Sequence, residues 1–226
     1  MEFRNKRDEL NIIIENSSII GIAPIDKDSE TLLSQLEYKD RYLPFIEKMT
    51  EKRKCEWLTV RTLLKTLSGE EKEIVYQSTG KPYLSDHSYH ISISHTNYKG
   101  ITENDKLLGY VAMVLNKEKE VAIDIEMISP RILKIKDRFL SEKETKSISA
   151  NNEIVHLLLH WSAKESVFKI LDSENVDYQS QIHISPFDPV MGKWESFEAH
   201  ETRTEKQQVF QIHYFVTEDY VLTTLR

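Results

Sequence analysis

The stretch "HWSAKESVFKIL", residues 160–171, decides how the chain is read. Its run of apolar residues predicts a helix, and a largely buried one. Glu165 and Lys169 sit in it four residues apart, beside Leu158, Trp161 and Phe168. At about 100° of turn per residue the two lie within about 40° of each other on one face. A carboxylate on a packed helix is costly to desolvate unless its charge is compensated. One compensation is a salt bridge to Lys169, because Glu before Lys at i,i+4 is a favourable helix pair. The other makes Glu165 an oxygen ligand for a cation, with Lys169 balancing the charge of a bound phosphate.

Upstream, "VAIDIE" (121–126) alternates as a strand does. Val121, Ile123 and Ile125 share one face and predict a core, while Asp124 and Glu126 share the other. Two carboxylates side by side repel unless a cation or a proton lies between them. A hard divalent ion, which takes oxygen ligands, fits such a pair. A solvated strand face in an acidic chain accounts for the same spacing.

Three further segments carry groups suited to an anion. "ISISHT" (91–96) places Ile91, Ile93 and His95 on one face. His95 ends that strand beside Ser94, where it either packs or donates to a phosphate oxygen. "EKRKCEWLTVRTLLKTL" (51–67) sets Arg53, Trp57, Arg61 and Lys65 at i,i+4 steps along one side of a helix, with Leu58, Leu64 and Leu67 toward the core. Such a basic line faces either solvent or an anionic ligand. Lys81 lies in the turn "TGKP" (79–82), where Gly80 frees the backbone and Pro82 fixes the exit direction.

The 226 residues suffice for one large domain or two small ones. With 39% hydrophobic and 30% charged residues the composition is that of a folded, soluble protein. A net charge of −7 argues against general nucleic-acid binding and leaves room for local basic patches. No apolar run reaches the roughly 20 residues of a membrane span. The polar start "MEFRNKRDEL" lacks a signal-peptide core, so a cytoplasmic location is expected. A single cysteine, Cys55, excludes an internal disulfide and a multi-cysteine metal site.

Strands are expected over 10–25, 89–96, 107–115 and 121–126, then over 181–185, 194–199, 207–216 and 220–225. Helices are expected over 29–39, from Pro44 to Ser68-Gly69, and over 130–138, 141–150 and 153–171. The polar "NKEKE" (116–120) marks a boundary between halves, 1–117 and 118–226. Without a regular βαβ rhythm the class is α+β.

Taken together, these segments resemble the 4′-phosphopantetheinyl transferase superfamily, in its long two-lobed type. That family's strand motif (V/I)-G-(V/I)-D-(I/V)-E stands here as "VAIDIE". Its W-(S/T/C)-x-K-E-(S/A)-x-x-K stands as "WSAKESVFK" (161–169), and its Phe-Ser/Thr-x-x-Glu segment is similar to "RFLSEKE" (138–144). "RKCEWLTVRTLL" (53–64), "TGKPYL" (79–84) and "ISISHT" look like its upstream motifs. Ala122 stands where the family usually has Gly. "NYKGITENDKLLGY" (97–110) is longer than the usual turn, and "LDSENVDYQSQ" (171–181) replaces a Leu-Gly-Lys-Gly-like stretch.

The resemblance implies two pseudo-twofold-related α+β lobes with antiparallel sheets and packed helices. Residues 1–117 form the lobe on the adenosine and phosphate side of coenzyme A, and 118–226 the lobe with the metal and catalytic motifs. The implied activity is Mg²⁺-dependent transfer of the 4′-phosphopantetheine arm of coenzyme A to a serine of an acyl or peptidyl carrier protein. Adenosine 3′,5′-bisphosphate is released, and the nucleophile belongs to the partner. By motif position Asp124, Glu126 and Glu165 hold the metal. Glu165 also takes the serine proton, and Lys169 stabilises the pyrophosphate and protonates the leaving group. Ser94 and His95 hold a coenzyme A phosphate, and Arg53, Arg61 and Lys81 the adenosine 3′-phosphate end. The basic "PRILKIKDR" (130–138), an exception in an acidic chain, suits the docking of an acidic carrier, and a solvated helix face accounts for it equally well. Two lobes build one site in a single chain, so a monomer is expected, while the net charge and the lack of an apolar span lead to no expected nucleic-acid or membrane partner. A Mg²⁺-dependent phosphohydrolase of a nucleotide-like pyrophosphate and a non-catalytic coenzyme A or carrier-binding module remain as alternatives.

Overall fold

The isoleucine-rich start folds as two antiparallel strands, β1 (Asn11–Glu15) and β2 (Ser18–Pro24). They belong to a computed structural model that describes residues 10–15, 17–96, 109–172 and 175–226. The chain divides into two units. One comprises residues up to Gln77 together with Pro82–Lys119, and the other Ser78–Lys81 together with Glu120–Arg226. Both combine helices with antiparallel sheets, an α+β architecture. Among the described residues no helix is long and apolar enough to cross a membrane.

In the first unit β1 and β2 are followed by three helices, α1 (Ser29–Ser34), α2 (Lys39–Ile46) and α3 (Glu51–Ser68). The strands β3 (Ile74–Tyr76), β4 (Pro82–Leu84), β5 (His90–His95) and β6 (Tyr110–Asn116) complete it. Its main sheet runs in the order β1-β2-β6-β5. Helix α3 lies so close to β2 that a Cβ at Gly21 would come within 2.8 Å of Leu63 and Leu67. Leu58, Leu64 and Leu67 join the core under the sheet, as their spacing predicts. The long helix begins at Glu51, not directly after Pro44, because the Thr50 hydroxyl accepts the Arg53 N–H and starts it there. Pro44 sits instead inside the separate helix α2. Of the segment expected as helix over 29–39, α1 takes 29–34, and the chain leaves the helix before α2 begins at Lys39. Strand β6 starts at Tyr110; residues 107–108 of the expected strand, and 97–108 of the long segment after Thr96, lie outside the described residues.

In the second unit β7 (Ala122–Met127) leads into two 3₁₀ turns, Pro130–Lys134 and Lys136–Arg138, where an α-helix was expected. The short helix α4 (Glu142–Ser147) opens with a reciprocal cap between Ser141 and Glu144. After one more 3₁₀ turn comes α5 (Glu153–Leu171), followed by β8 (Ile182–Ile184), β9 (Glu195–Glu201), β10 (Val209–Val216) and β11 (Tyr220–Leu225). The sheet order is β7-β11-β10-β9-β8, antiparallel throughout. Leu157, Leu158, Ala163 and Val167 of α5 pack with Ala122, Val221, Leu225, Ile212 and Phe197 from the sheet and with Phe139 and Leu140.

Helix α5 is buried nearly all round, so its polar side chains must be satisfied inside the protein. Ser162 and Ser166 share hydrogen bonds with the Thr223 hydroxyl at 2.8 and 2.9 Å. Lys164, with no exposed surface, donates to the Phe139 carbonyl, the Glu144 carboxylate and the Tyr178 carbonyl at 2.6, 2.9 and 2.8 Å. His156 accepts the Ser149 N–H, and the His160 ring bonds the His156 carbonyl.

Burial pushes His160 down to about 4 and His156 below its usual range. Asp188 and Glu144 act against these shifts, and Lys164 adds to that on His160. An unfolded histidine protonates near 6.5, so between that pH and 4 the unfolded state binds protons that the folded state does not. Stability is therefore lost as pH falls through this window. His160→Gln is expected to remove about 2–3 kcal/mol of the loss between pH 7 and 4.5, read from urea midpoints. An unchanged pH slope would rule out the buried imidazole as its source.

Candidate active site

The two carboxylates of β7 reach the same side of the sheet because side chains alternate along a strand. Their register shows which side. Asp124 pairs with Thr223 and Glu126 with Val221 on β11, both of which face α5. Ala122 is on that side too, its small side chain under the helix. Ile123 and Ile125 occupy the opposite side, and they are buried as well. The strand is thus covered on both faces, whereas alternation had suggested one core face and one polar face.

Three donors from α5 and the segment after it meet the acidic groups. The Lys169 ammonium donates to Asp124 Oδ1 at 2.9 Å and to the Ile123 carbonyl at 2.7 Å. The Trp161 indole N–H donates to Glu126 Oε1 at 2.9 Å, and the Tyr178 hydroxyl to Glu165 Oε1 at 3.0 Å. Lys169 therefore bridges to the strand and does not take Glu165 as its hydrogen-bonding partner, as an isolated i,i+4 pair would.

The electrostatics follow from crowding like charges in a half-buried place. Burial, then the Asp124 charge, raises Glu126 to about 7; the Trp161 bond and Lys169 act the other way. Glu165 is raised by burial and by Asp124, against Lys169 and Tyr178. Burial and the Glu165 charge push the Tyr178 phenol far up, so it stays a donor. Among the described residues, no three His, Cys, Asp or Glu side chains stand as a ready metal cage. Each of these carboxylates is instead turned to a protein donor. The donor set nevertheless suits Mg²⁺: hard carboxylate oxygens, mutually repelling, whose charge a divalent cation offsets.

A raised carboxylate has the stability sign opposite to that of the histidines. Between the unfolded value of 4.5 and about 7 the folded state binds the extra proton, so stability falls as pH rises through that window. Glu126→Gln is accordingly expected to stabilise the metal-free protein at pH 8 by roughly 1–3 kcal/mol. Equal or lower stability of the variant in chemical denaturation would refute the charge-repulsion account.

The other residues singled out in the sequence sit on other segments of the chain. Lys81 forms an ion pair with Glu120 at 2.9 Å within the second unit. In the first unit Ser94 and His95 end β5, the serine buried and the histidine exposed. Arg53 pairs with Glu56 at 3.2 Å. Arg61 is buried, its guanidinium 3.0 Å from the Trp57 ring centroid and bonded to the Trp57 carbonyl. Burial pushes it down to about 10. Lys65, the end of the predicted basic line, is taken by Gln35, Glu37 and Glu71. Three participants escaped sequence reasoning. Lys164 and Glu144 stand inside motifs already quoted, but neither spacing nor charge distinguishes a buried pair from a surface one. Tyr178 follows Glu165 by thirteen positions in a polar segment, with no periodic signal.

Residues 120–225, from β7 through β11, match the family model of the 4′-phosphopantetheinyl transferase superfamily. Asp124, Glu126, Glu165 and Lys169 all lie within the matched segment. No curated protein matches the chain.

Proposed function

We propose that the protein is a long, two-lobed phosphopantetheinyl transferase that moves the 4′-phosphopantetheine arm of coenzyme A onto a carrier-protein serine. The observation that carries this is the gathering of Asp124, Glu126, Glu165 and Lys169 on one side of β7 and α5, inside the family-matched segment. The family acts on coenzyme A and carrier proteins, and nothing in the described residues requires a nucleophile of the chain's own.

Asp124, Glu126 and Glu165 would hold Mg²⁺, which when bound offsets negative charge on the pyrophosphate. Glu165, its pKa raised by burial and by the Asp124 charge, accepts the proton of the incoming serine hydroxyl in its ionised form. The serine oxygen then attacks the phosphorus that bears the pantetheine arm. The bond to the adenosine-side phosphate breaks, and adenosine 3′,5′-bisphosphate leaves. Two of the three Lys169 N–H groups are engaged by Ile123 and Asp124, and the third would serve the pyrophosphate and the leaving group. Ser94 and His95 hold a coenzyme A phosphate, and Arg53 and Lys81 its adenosine 3′-phosphate end. For Arg61 the same role requires the guanidinium to leave the face of Trp57. The exposed Arg131, Lys134 and Arg138 on the 3₁₀ turns suit an acidic carrier.

Incubation of the chain with coenzyme A, Mg²⁺ and a panel of apo carrier proteins tests this by intact mass. A carrier gaining one phosphopantetheine is expected. Cleavage of coenzyme A without carrier modification would instead show a phosphohydrolase, and binding without turnover a non-catalytic module.

A further inference from the structure

Tyr178 lies outside every motif that marks the family in this sequence, yet its hydroxyl is hydrogen-bonded to a catalytic carboxylate. It lies in the segment after α5, where the chain departs from the family's usual sequence. Three constraints hold it there. Its carbonyl accepts from the buried Lys164 ammonium at 2.8 Å. Its ring packs at a tilt against Trp161 and Phe168, with centroids 5.6 and 5.9 Å away. Lys164 is itself fixed by Glu144, whose carboxylate also accepts the N–H groups of Ser141 and Ile184. A rotatable carboxylate on α5 is thus tied through one hydroxyl to a group held from several directions.

We infer that Tyr178 is a positioning residue: its hydroxyl fixes the Glu165 carboxylate in the orientation that metal binding and proton acceptance need. The inference rests on the transferase reading above. Hydrogen-bonding partners of metal-ligating groups set ligand orientation, and their loss costs about 10–100-fold in metal affinity or activity. Tyr178→Phe deletes the hydroxyl and keeps the ring between Trp161 and Phe168.

Two readouts separate positioning from mere packing. Mn²⁺ alone, titrated into the full chain and followed by electron paramagnetic resonance, is expected to bind about 10-fold more weakly to Tyr178→Phe. With a carrier that the wild type modifies, kcat is expected to fall about 10–100-fold while KM for coenzyme A stays within about threefold. A cycle with Glu165→Gln ties the effect to the carboxylate: once Glu165 is replaced, losing the hydroxyl should cost little more in Mn²⁺ affinity. Wild-type Mn²⁺ affinity and kcat in Tyr178→Phe, alongside an active parent, would overturn the inference and leave the transferase reading standing. Additive losses in the cycle would overturn it too, by showing that Tyr178 acts elsewhere. A parent that modifies no carrier and binds no Mn²⁺ would remove the transferase reading and this role together.

Discussion

Replacing Lys164 by methionine is expected to destabilise the protein by about 3–5 kcal/mol, the cost of leaving one partner of a buried ion pair uncompensated. The ammonium is fully buried, and its three hydrogen bonds saturate its donors. Without it Glu144 keeps its bonds to Ser141 and Ile184 but loses the only cation it contacts among the described residues. Burial lowers the Lys164 pKa, while Glu144 is held below its usual range by Lys164 and its N–H partners despite burial. For a chain of this size the loss corresponds to about 6–20 °C in Tm. Adding Glu144→Gln removes the stranded charge, so the double variant should recover part of the loss. Thermal unfolding of the four proteins measures both quantities. A single-variant change below about 1 kcal/mol would place the pair among surface salt bridges. The knot also joins Phe139 before α4 to Tyr178 after α5, so its loss should loosen Glu165 and lower turnover even where the fold survives.

The second large effect is catalytic. Glu165→Gln keeps the shape of the side chain and its bond from the Tyr178 hydroxyl, but it abolishes the base and the negative charge. Carrier modification is expected to slow roughly 10²–10⁴-fold, the usual worth of general acid–base help, and further where a metal ligand is lost as well. Asp124→Ala is expected to abolish Mg²⁺-dependent transfer. It also removes the acceptor of one Lys169 hydrogen bond, so its fold must be checked by circular dichroism. A Glu165→Gln rate within threefold of wild type would reduce Glu165 to a structural group held by Tyr178. Wild-type turnover of Asp124→Ala at ordinary Mg²⁺ would remove the strand from the metal assignment.

Much of this was legible in the residues. The two-residue repeat of "VAIDIE" put Asp124 and Glu126 on one side of a strand, and the helical repeat of "WSAKESVFK" put Glu165 and Lys169 on one side of a helix. Both elements form where those periods predict them. Punctuation was legible where a side chain or glycine caps a helix: Gly69 ends α3 in the left-handed region, at φ 84°. It was misread at Pro44, because a proline tolerated inside a short helix looks in sequence like the start of a long one. The 130–138 segment has helical composition but folds as 3₁₀ turns.

What the sequence by itself determined is the direction in which each side chain leaves its own element. That direction depends only on local backbone geometry. What the tertiary structure decided is the partner each side chain meets. Lys169 could pair along its helix with Glu165, yet it crosses to Asp124 and Ile123 because α5 packs against β7. Lys164 reads as one more surface lysine until α4, α5 and the Tyr178 segment close around it. Tyr178 reaches Glu165 through a loop whose course no periodicity encodes. Burial, and with it the pKa of Glu126 and the cost of losing Lys164, depends on contacts between residues far apart in the chain. Spacing along one element cannot register those contacts.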